Sequence, residues 1–197
     1  GTFRDRKLLE RNPHQILEGI IIAAYALGAP VVYICLRPEM KRGRVLLEQA
    51  IEAARAHGWL GADNRQRGRH LEVYIHSGGG AYLETEPTAL LRSIEGFRAE
   101  PAANATATKL FGRPAEVVNM GTLAYLPHIV ANGADWFRSL GSKEYPGTLL
   151  FCLSGHVSRP GLYELELGAS TLREVIYEIG GGVRAGHQLK AVLPGGG

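Results

Sequence analysis

Cysteine is scarce. The 197 residues hold only Cys35 and Cys152, with no Cys-x-x-Cys pair. The chain therefore shows no zinc or iron–sulfur ligand set of its own. Each cysteine sits in an apolar strand-like run, Val31-Val-Tyr-Ile-Cys-Leu36 and Leu149-Leu-Phe-Cys-Leu153. Buried thiols are expected there, and with them a reducing compartment. Long hydrophobic runs are also missing. The longest, Gly19-Ile-Ile-Ile-Ala-Ala-Tyr-Ala-Leu-Gly28, is too short to span a bilayer. No basic segment followed by an apolar core opens the chain, so no signal peptide is read. Cytoplasmic residence without direct membrane insertion is expected, with room for peripheral attachment to the membrane's inner face through partners.

Charge of one sign does not accumulate. The net charge is only +3, and basic residues alternate with acidic ones, as in Arg4-Asp-Arg-Lys-Leu-Leu-Glu10. This is solvated surface, not a nucleic-acid arm. The seven histidines are scattered, and none pairs at metal spacing. Ser154-Gly-His-Val157 lacks the strand–turn–helix setting of a nucleophile elbow, which sets a hydrolase aside. No catalytic residue and no metal ligand is assigned.

What is present is an ordinary globular composition, 45% apolar and 21% charged. Asn12-Pro13 reads as a cap and first residue of a helix that Gly28 closes. Val31 to Leu36 suits a buried parallel strand. Lys41 to His57 reads as a helix, with Glu48 and Glu52 facing Arg44 and Arg55 at spacings of three and four. Arg65 to Arg69 is a polar connector, and His70 to Ile75 is the next strand. A glycine loop, Gly78-Gly-Gly80, follows it. The next helix has Thr85 as a plausible cap and Pro87 in its first turn, and it ends at Gly96. The alternation of strand and helix argues for an α/β fold, a mostly parallel sheet flanked by helices. Glycines before a helix let the backbone approach a ligand closely and aim free amides at it, the physics of an anion seat.

Residues 101–108 read as a loop. Thr122 to Ala131 reads as a helix despite Pro127, and Ala134 to Leu140 as a further turn or two. From Thr148 the texture changes. Strands Thr148 to Ser154 and Gly161 to Glu166 are followed by a helix, Thr171 to Ile179, and a last strand, Lys190 to Leu193. That order suits a small β-grasp module after a boundary near Pro146-Gly147.

These segments resemble the NADH-binding flavoprotein subunit of NADH:quinone oxidoreductase (complex I), a fold that also serves NAD-reducing hydrogenases and formate dehydrogenases. The resemblance runs through Gly1-Thr-Phe-Arg-Asp-Arg6, Pro13-His-Gln-Ile-Leu-Glu-Gly19, Ala23-Ala-Tyr-Ala-Leu-Gly28, Gly80-Ala-Tyr82 and Thr88-Ala-Leu-Leu91. It continues through Glu95-Gly-Phe-Arg98, Leu110-Phe-Gly-Arg-Pro114, Asn119, Thr122-Leu-Ala124, Ala131-Asn-Gly-Ala-Asp-Trp136, Ser154-Gly-His-Val157, Arg159-Pro-Gly161 and Pro194-Gly-Gly196. It covers essentially the whole chain.

The resemblance implies an FMN-binding α/β domain over residues 1–146, with NADH stacked on the flavin. A β-grasp module of the soluble-ligand-binding (SLBB) type over 147–197 is also implied. Hydride would pass from NADH to FMN, and electrons onward to iron–sulfur clusters of partner subunits. It places Gly78, Gly79, Gly80, Tyr82, Glu86, Asn119 and Thr122 beside the cofactors. The family's first glycine-rich FMN loop is expected upstream of Gly1, and its iron–sulfur domain downstream of Gly197.

The departures cluster at the cofactor side. The pattern Gly-Ala-Tyr-Ile-Cys-Gly-Glu-Glu-Thr becomes Gly80-Ala-Tyr-Leu-Glu-Thr-Glu-Pro-Thr88, so Glu86 keeps the first glutamate and Pro87 replaces the second. An aromatic Lys-Pro-Pro-Phe-Pro segment becomes the shorter run 102–108. Asn-Asn-Val-Glu-Thr becomes Val118-Asn-Met-Gly-Thr122. Three readings follow. One is an FMN/NADH component that is inactive as an isolated chain. The second is a structural paralogue that keeps the fold for assembly and binds neither FMN nor NADH. The third is a ligand-binding module acting through the β-grasp segment. The losses fit a fold retained while its site decays; the alternative is a rebuilt site, with Glu84 supplying a new carboxylate near the loop.

Overall fold

A computed structural model describes residues 3–61, 70–80, 82–101 and 108–195. Arg65 to Arg69 and most of the 101–108 loop lie outside the described residues. Two compact units emerge, residues 9–126 and residues 1–8 with 127–197.

Helix α1 (Arg4–Arg11), of which Leu9 to Arg11 belong to the first unit, leads to α2 (Pro13–Leu27). The start of α2 is set by chemistry readable in the sequence. Asn12 accepts from the Gln15 amide, and Pro13 occupies a position whose N–H would go unused. Gly28 ends it in the left-handed region, φ 68°, where a side chain is strained. Strand β1 (Val31–Leu36), helix α3 (Lys41–Ala56) and strand β2 (Glu72–Ser77) form a parallel crossover, with Val31 opposite Glu72 and Leu36 opposite Ser77. β2 starts two residues later than the sequence suggests, because Leu71 is taken by a bridge to Gly61. Arg44 pairs with Glu48 at 2.8 Å, whereas Arg55 reaches across to Glu72 at 3.1 Å instead of Glu52.

The core of this unit is aliphatic. Leu9, Ile16, Leu47 and Val73 are essentially sealed, with Leu17, Ile20, Ala24, Ile34, Leu36 and Ile51 around them. Gly19 lets α2 lie directly on the backbone of Leu123, where a Cβ would come within 2.7 Å of the carbonyl carbon. Beside it Gln15 Nε2 donates to the Ala124 carbonyl at 2.8 Å. These contacts tie α2 to α5 (Met120–Asn132), which carries Pro127 inside it.

A 3-10 turn (Tyr82–Thr85) and helix α4 (Pro87–Ile94) follow the glycine loop. The cap of α4 is Glu86, not Thr85. Its carboxylate accepts from the Ala89 amide at 2.8 Å and from the Thr88 hydroxyl, while Thr85 belongs to the 3-10 turn. A small hairpin, β3 (Lys109–Leu110) with β4 (Arg113–Pro114), comes next.

The second unit holds α6 (Ala134–Ser139) and the antiparallel pair β5 (Thr148–Leu153) and β6 (Gly161–Glu166). Thr171 and Glu174 form a reciprocal capping box at α7 (Leu172–Glu174), which runs on as a π-helical turn, Val175–Ile179. The expected strand from Lys190 to Leu193 does not form. That segment is irregular and exposed, and the bridge opposite Val157 is made by Val183.

Candidate functional site

The parallel pair β1–β2 places its carboxyl ends, Leu36 and Ser77, side by side. In open α/β folds this edge is where ligands bind. A cavity of about 220 Å³ opens there, lined by Leu36, Pro38 and Met40, the cations Arg37, Lys41 and Arg44, and Ser77 and Gly78. Arg44 reaches both the Ser77 hydroxyl and Glu48. The lining holds three cations, of which Arg44 is paired with Glu48, and α3 begins at this edge without a side-chain cap or an acidic residue in its first turn.

The glycine loop leaves β2 at this edge. Gly80 is left-handed at φ 77°, and a Cβ there would press on Pro38 at 3.1 Å. The loop amides are not open. Glu84 folds back from the 3-10 turn, its Oε1 accepting from Gly79 N at 2.9 Å and its Oε2 from Gly80 N at 3.0 Å. The Ser93 hydroxyl on α4 donates to the same Oε1 at 3.1 Å, and His76 on β2 bonds Ser93 at 3.2 Å. Gly78 has to be glycine for this arrangement, since a Cβ would stand 2.7 Å from the Glu84 carboxyl carbon. Desolvation works against the charged carboxylate. The Gly79 amide, Ser93, the Gly80 amide and the His76 charge outweigh it and hold Glu84 below the usual carboxylate range. On β1 nearby, burial first and the Glu84 charge second push the Cys35 thiol up to about 11, so it is no nucleophile.

Of the expected site residues, Gly78, Gly79, Gly80 and Glu86 come together around the β2–α4 turn. Tyr82 opens the 3-10 turn, and its side chain lies outside the described atoms. Glu86 is spent on capping. Thr88, then the Ala89 amide, lowers its pKa. Asn119 caps its own turn, accepting from Gly121 N at 2.8 Å, and is exposed, as is Thr122 in the first turn of α5. Among the described residues no hydrogen bond joins either side chain to the glycine loop. Ser93 and His76 were not foreseen. Only the three-dimensional return of α4 onto β2 brings them to Glu84.

A glycine loop on the carboxyl edge of a parallel crossover, followed by a helix, is the layout in which α/β folds place their ligand sites; the second unit adds an antiparallel pair. Residues 1–128 match the Nuo51 FMN-binding domain, and residues 149–197 match the SLBB domain. The chain is 45% identical over 199 residues to an NADH-quinone oxidoreductase subunit of Rhizobium meliloti (strain 1021), covering 100% of this chain and 47% of that protein. To the corresponding NADH-quinone oxidoreductase subunit of Aquifex aeolicus (strain VF5) it is 42% identical over 198 residues, covering 99% of this chain and 46% of that protein. Among solved structures, the air-oxidized NAD+-reducing [NiFe]-hydrogenase aligns with a TM-score of 0.75 at 37% identity, over 89% of this chain and 30% of that one. The chain belongs to the Nuo51 FMN-binding domain family and carries the SLBB domain after it. It spans about half the length of the curated relatives it matches.

The family name implies FMN. As arranged, the loop does not fit an added phosphate or ring oxygen at Gly79 and Gly80, because the Glu84 carboxylate already takes both amides. Among the described residues no three metal-ligating side chains gather, and no helix is long and apolar enough to cross a membrane.

Proposed function

We propose that this chain is part of the NADH-binding flavoprotein component of a respiratory or hydrogenase-type complex, with FMN as the electron-entry group. The observation that carries this reading is the family match over residues 1–128, which spans the parallel crossover and the glycine loop at its carboxyl edge. In this reading Gly78, Gly79, Gly80, Tyr82, Glu86, Asn119 and Thr122 line the cofactor side, and NADH reaches the flavin from there. The domain boundary falls near Pro146–Gly147. The protein works in the cytoplasm or on the inner face of the membrane, beside iron–sulfur subunits that take the electrons.

The chemistry belongs to the flavin, and the protein supplies orientation and electrostatics. The cations Arg37, Lys41 and Arg44 at this edge would attract anionic dinucleotides to the loop. A second reading is favoured by one specific observation: Glu84 already fills the loop, which suits a paralogue that keeps the scaffold for assembly. The resemblance adds that Pro87 stands where the family carries a second glutamate.

NADH-driven reduction of an artificial electron acceptor separates the two readings, measured on the full-length protein with its natural partner subunits. Turnover that needs added or bound FMN supports the flavoprotein. Absence of both turnover and flavin in an intact complex supports the paralogue.

A further inference from the structure

The glycine loop's partner is an acidic side chain of the same chain, and the fit between them is built. The carboxylate spans two successive amides with one oxygen each, at 2.9 and 3.0 Å. That is how a phosphate or carboxylate ligand sits on such amides, with charge-assisted bonds to backbone N–H groups. Gly78 is cleared of a Cβ where the carboxyl group lies. Ser93 adds a third donor from α4, itself held by His76 on β2. Three segments, the loop, α4 and β2, thus converge on one carboxylate.

The side chain that fills the loop is also removable. Glu84 is half-buried and sits in a one-turn element, Tyr82–Thr85, that is no part of the β1–β2 sheet. The loop carries no side chains to close the gap left behind. The titratable groups that face Glu84 are His76 on β2 and Cys35 on β1, whose thiol stays protonated and uncharged. Arg37, Lys41 and Arg44 border the same edge and would receive an incoming anion.

We propose that Glu84 is a built-in competitor for the glycine loop: its carboxylate holds the Gly79 and Gly80 amides, and an anionic ligand group gains that seat only by displacing it. The proposal deepens the flavoprotein reading and rests on it for the identity of the ligand. The occupied seat takes oxyanions, whether the phosphate of a nucleotide or free phosphate. Loading then releases Glu84 and frees Ser93 and His76 to meet the ligand or water.

The test uses full-length protein labelled with [15N]glycine, as wild type, Glu84→Gln and Glu84→Ala. The amide resonances of Gly79 and Gly80 are followed while inorganic phosphate or FMN is added. Both resonances should move on mutation alone. Glu84→Ala should then bind phosphate or FMN at these amides about tenfold or more tightly than wild type, because a like charge no longer contests the seat. Glu84→Gln, which keeps a neutral acceptor and the loop's fold, should fall between. Equal affinity in wild type and both variants overturns the proposal. So does the absence of any ligand-induced shift at Gly79 and Gly80 in all three proteins. FMN bound elsewhere with these amides silent would overturn the competitor and leave the flavoprotein standing. Phosphate seated on the loop of Glu84→Ala, with no FMN bound by any of the proteins, would support the competitor and remove the flavoprotein.

Discussion

The two units of this chain are held together in different ways. Residues 9–126 close a core in which Leu9, Ile16 and Leu47 have no exposed surface. In residues 1–8 and 127–197, only Val157, Val175 and Ile176 reach comparable burial among the described apolar residues. Every residue of β5 is half-buried. The first unit is stabilised by aliphatic burial, which tolerates little change of volume. The second relies on local chemistry: a capping box, hairpin pairing, and the Arg159 guanidinium and Tyr163 hydroxyl bonded to backbone carbonyls. A two-stranded ribbon with so thin a core is marginal by itself. The lesson is that the candidate site, at the carboxyl edge of β1 and β2, sits on the unit with the better-sealed core, which suits a site whose geometry must be held.

Two tryptophans make the comparison measurable, since Trp59 belongs to the first unit and Trp136 to the second. Leu47→Ala should have the largest effect. A fully buried leucine truncated to alanine costs about 2–5 kcal/mol. The urea transition reported by Trp59, with Trp136 replaced by Phe, should move accordingly. An equal shift of the Trp136 transition would break the distinction. Gly19→Ala comes next. Its new methyl meets the Leu123 carbonyl, backbone that cannot step aside, and overpacking costs about 1–3 kcal/mol. Retention of wild-type stability on the Trp59 signal would show that α2 and α5 are not in contact. Thr171→Ala removes one half of the capping box and should cost about 1 kcal/mol, seen by Trp136.

The smallest effect is a pH dependence of the first unit. Glu84 is held below its ordinary value in the folded chain, against burial, by Gly79, Ser93, Gly80 and His76. Its contribution is therefore complete above the ordinary carboxylate pKa and is lost as pH falls through the lowered folded value. Wild type should lose stability toward acid more steeply than Glu84→Gln, and superimposable profiles would contradict the bonded loop. Partial exposure of Glu84 to solvent keeps the difference small.

Much of the scaffold was legible because its signals are local. Asn12-Pro13, Gly28, the β-branched run at Val31 to Leu36 and the hairpin turn before Gly161 each act within a few residues. The tail from Lys190 failed because a short apolar run becomes a strand only with a partner edge, and Val183 makes the bridge to Val157 instead. The cap of α4 was misassigned by one residue because Glu86 is not a favoured cap type, yet its carboxylate reaches the Ala89 amide. At the site, the glycine loop and Glu84 could be read side by side. That the carboxylate turns back onto the loop could not, since it depends on Ser93 and His76 arriving from α4 and β2. Asn119 and Thr122 were placed by resemblance alone, and among the described residues the Asn119 side chain bonds only locally, to Gly121 N.

The proposal that residues 9–126 are scaffold for an electron-entry flavoprotein stands or falls on the visible absorbance spectrum of the full-length protein purified with its partner subunits. A flavin spectrum is expected, present or restored by added FMN, that bleaches when NADH is supplied. A colourless complex that takes up no FMN would contradict it.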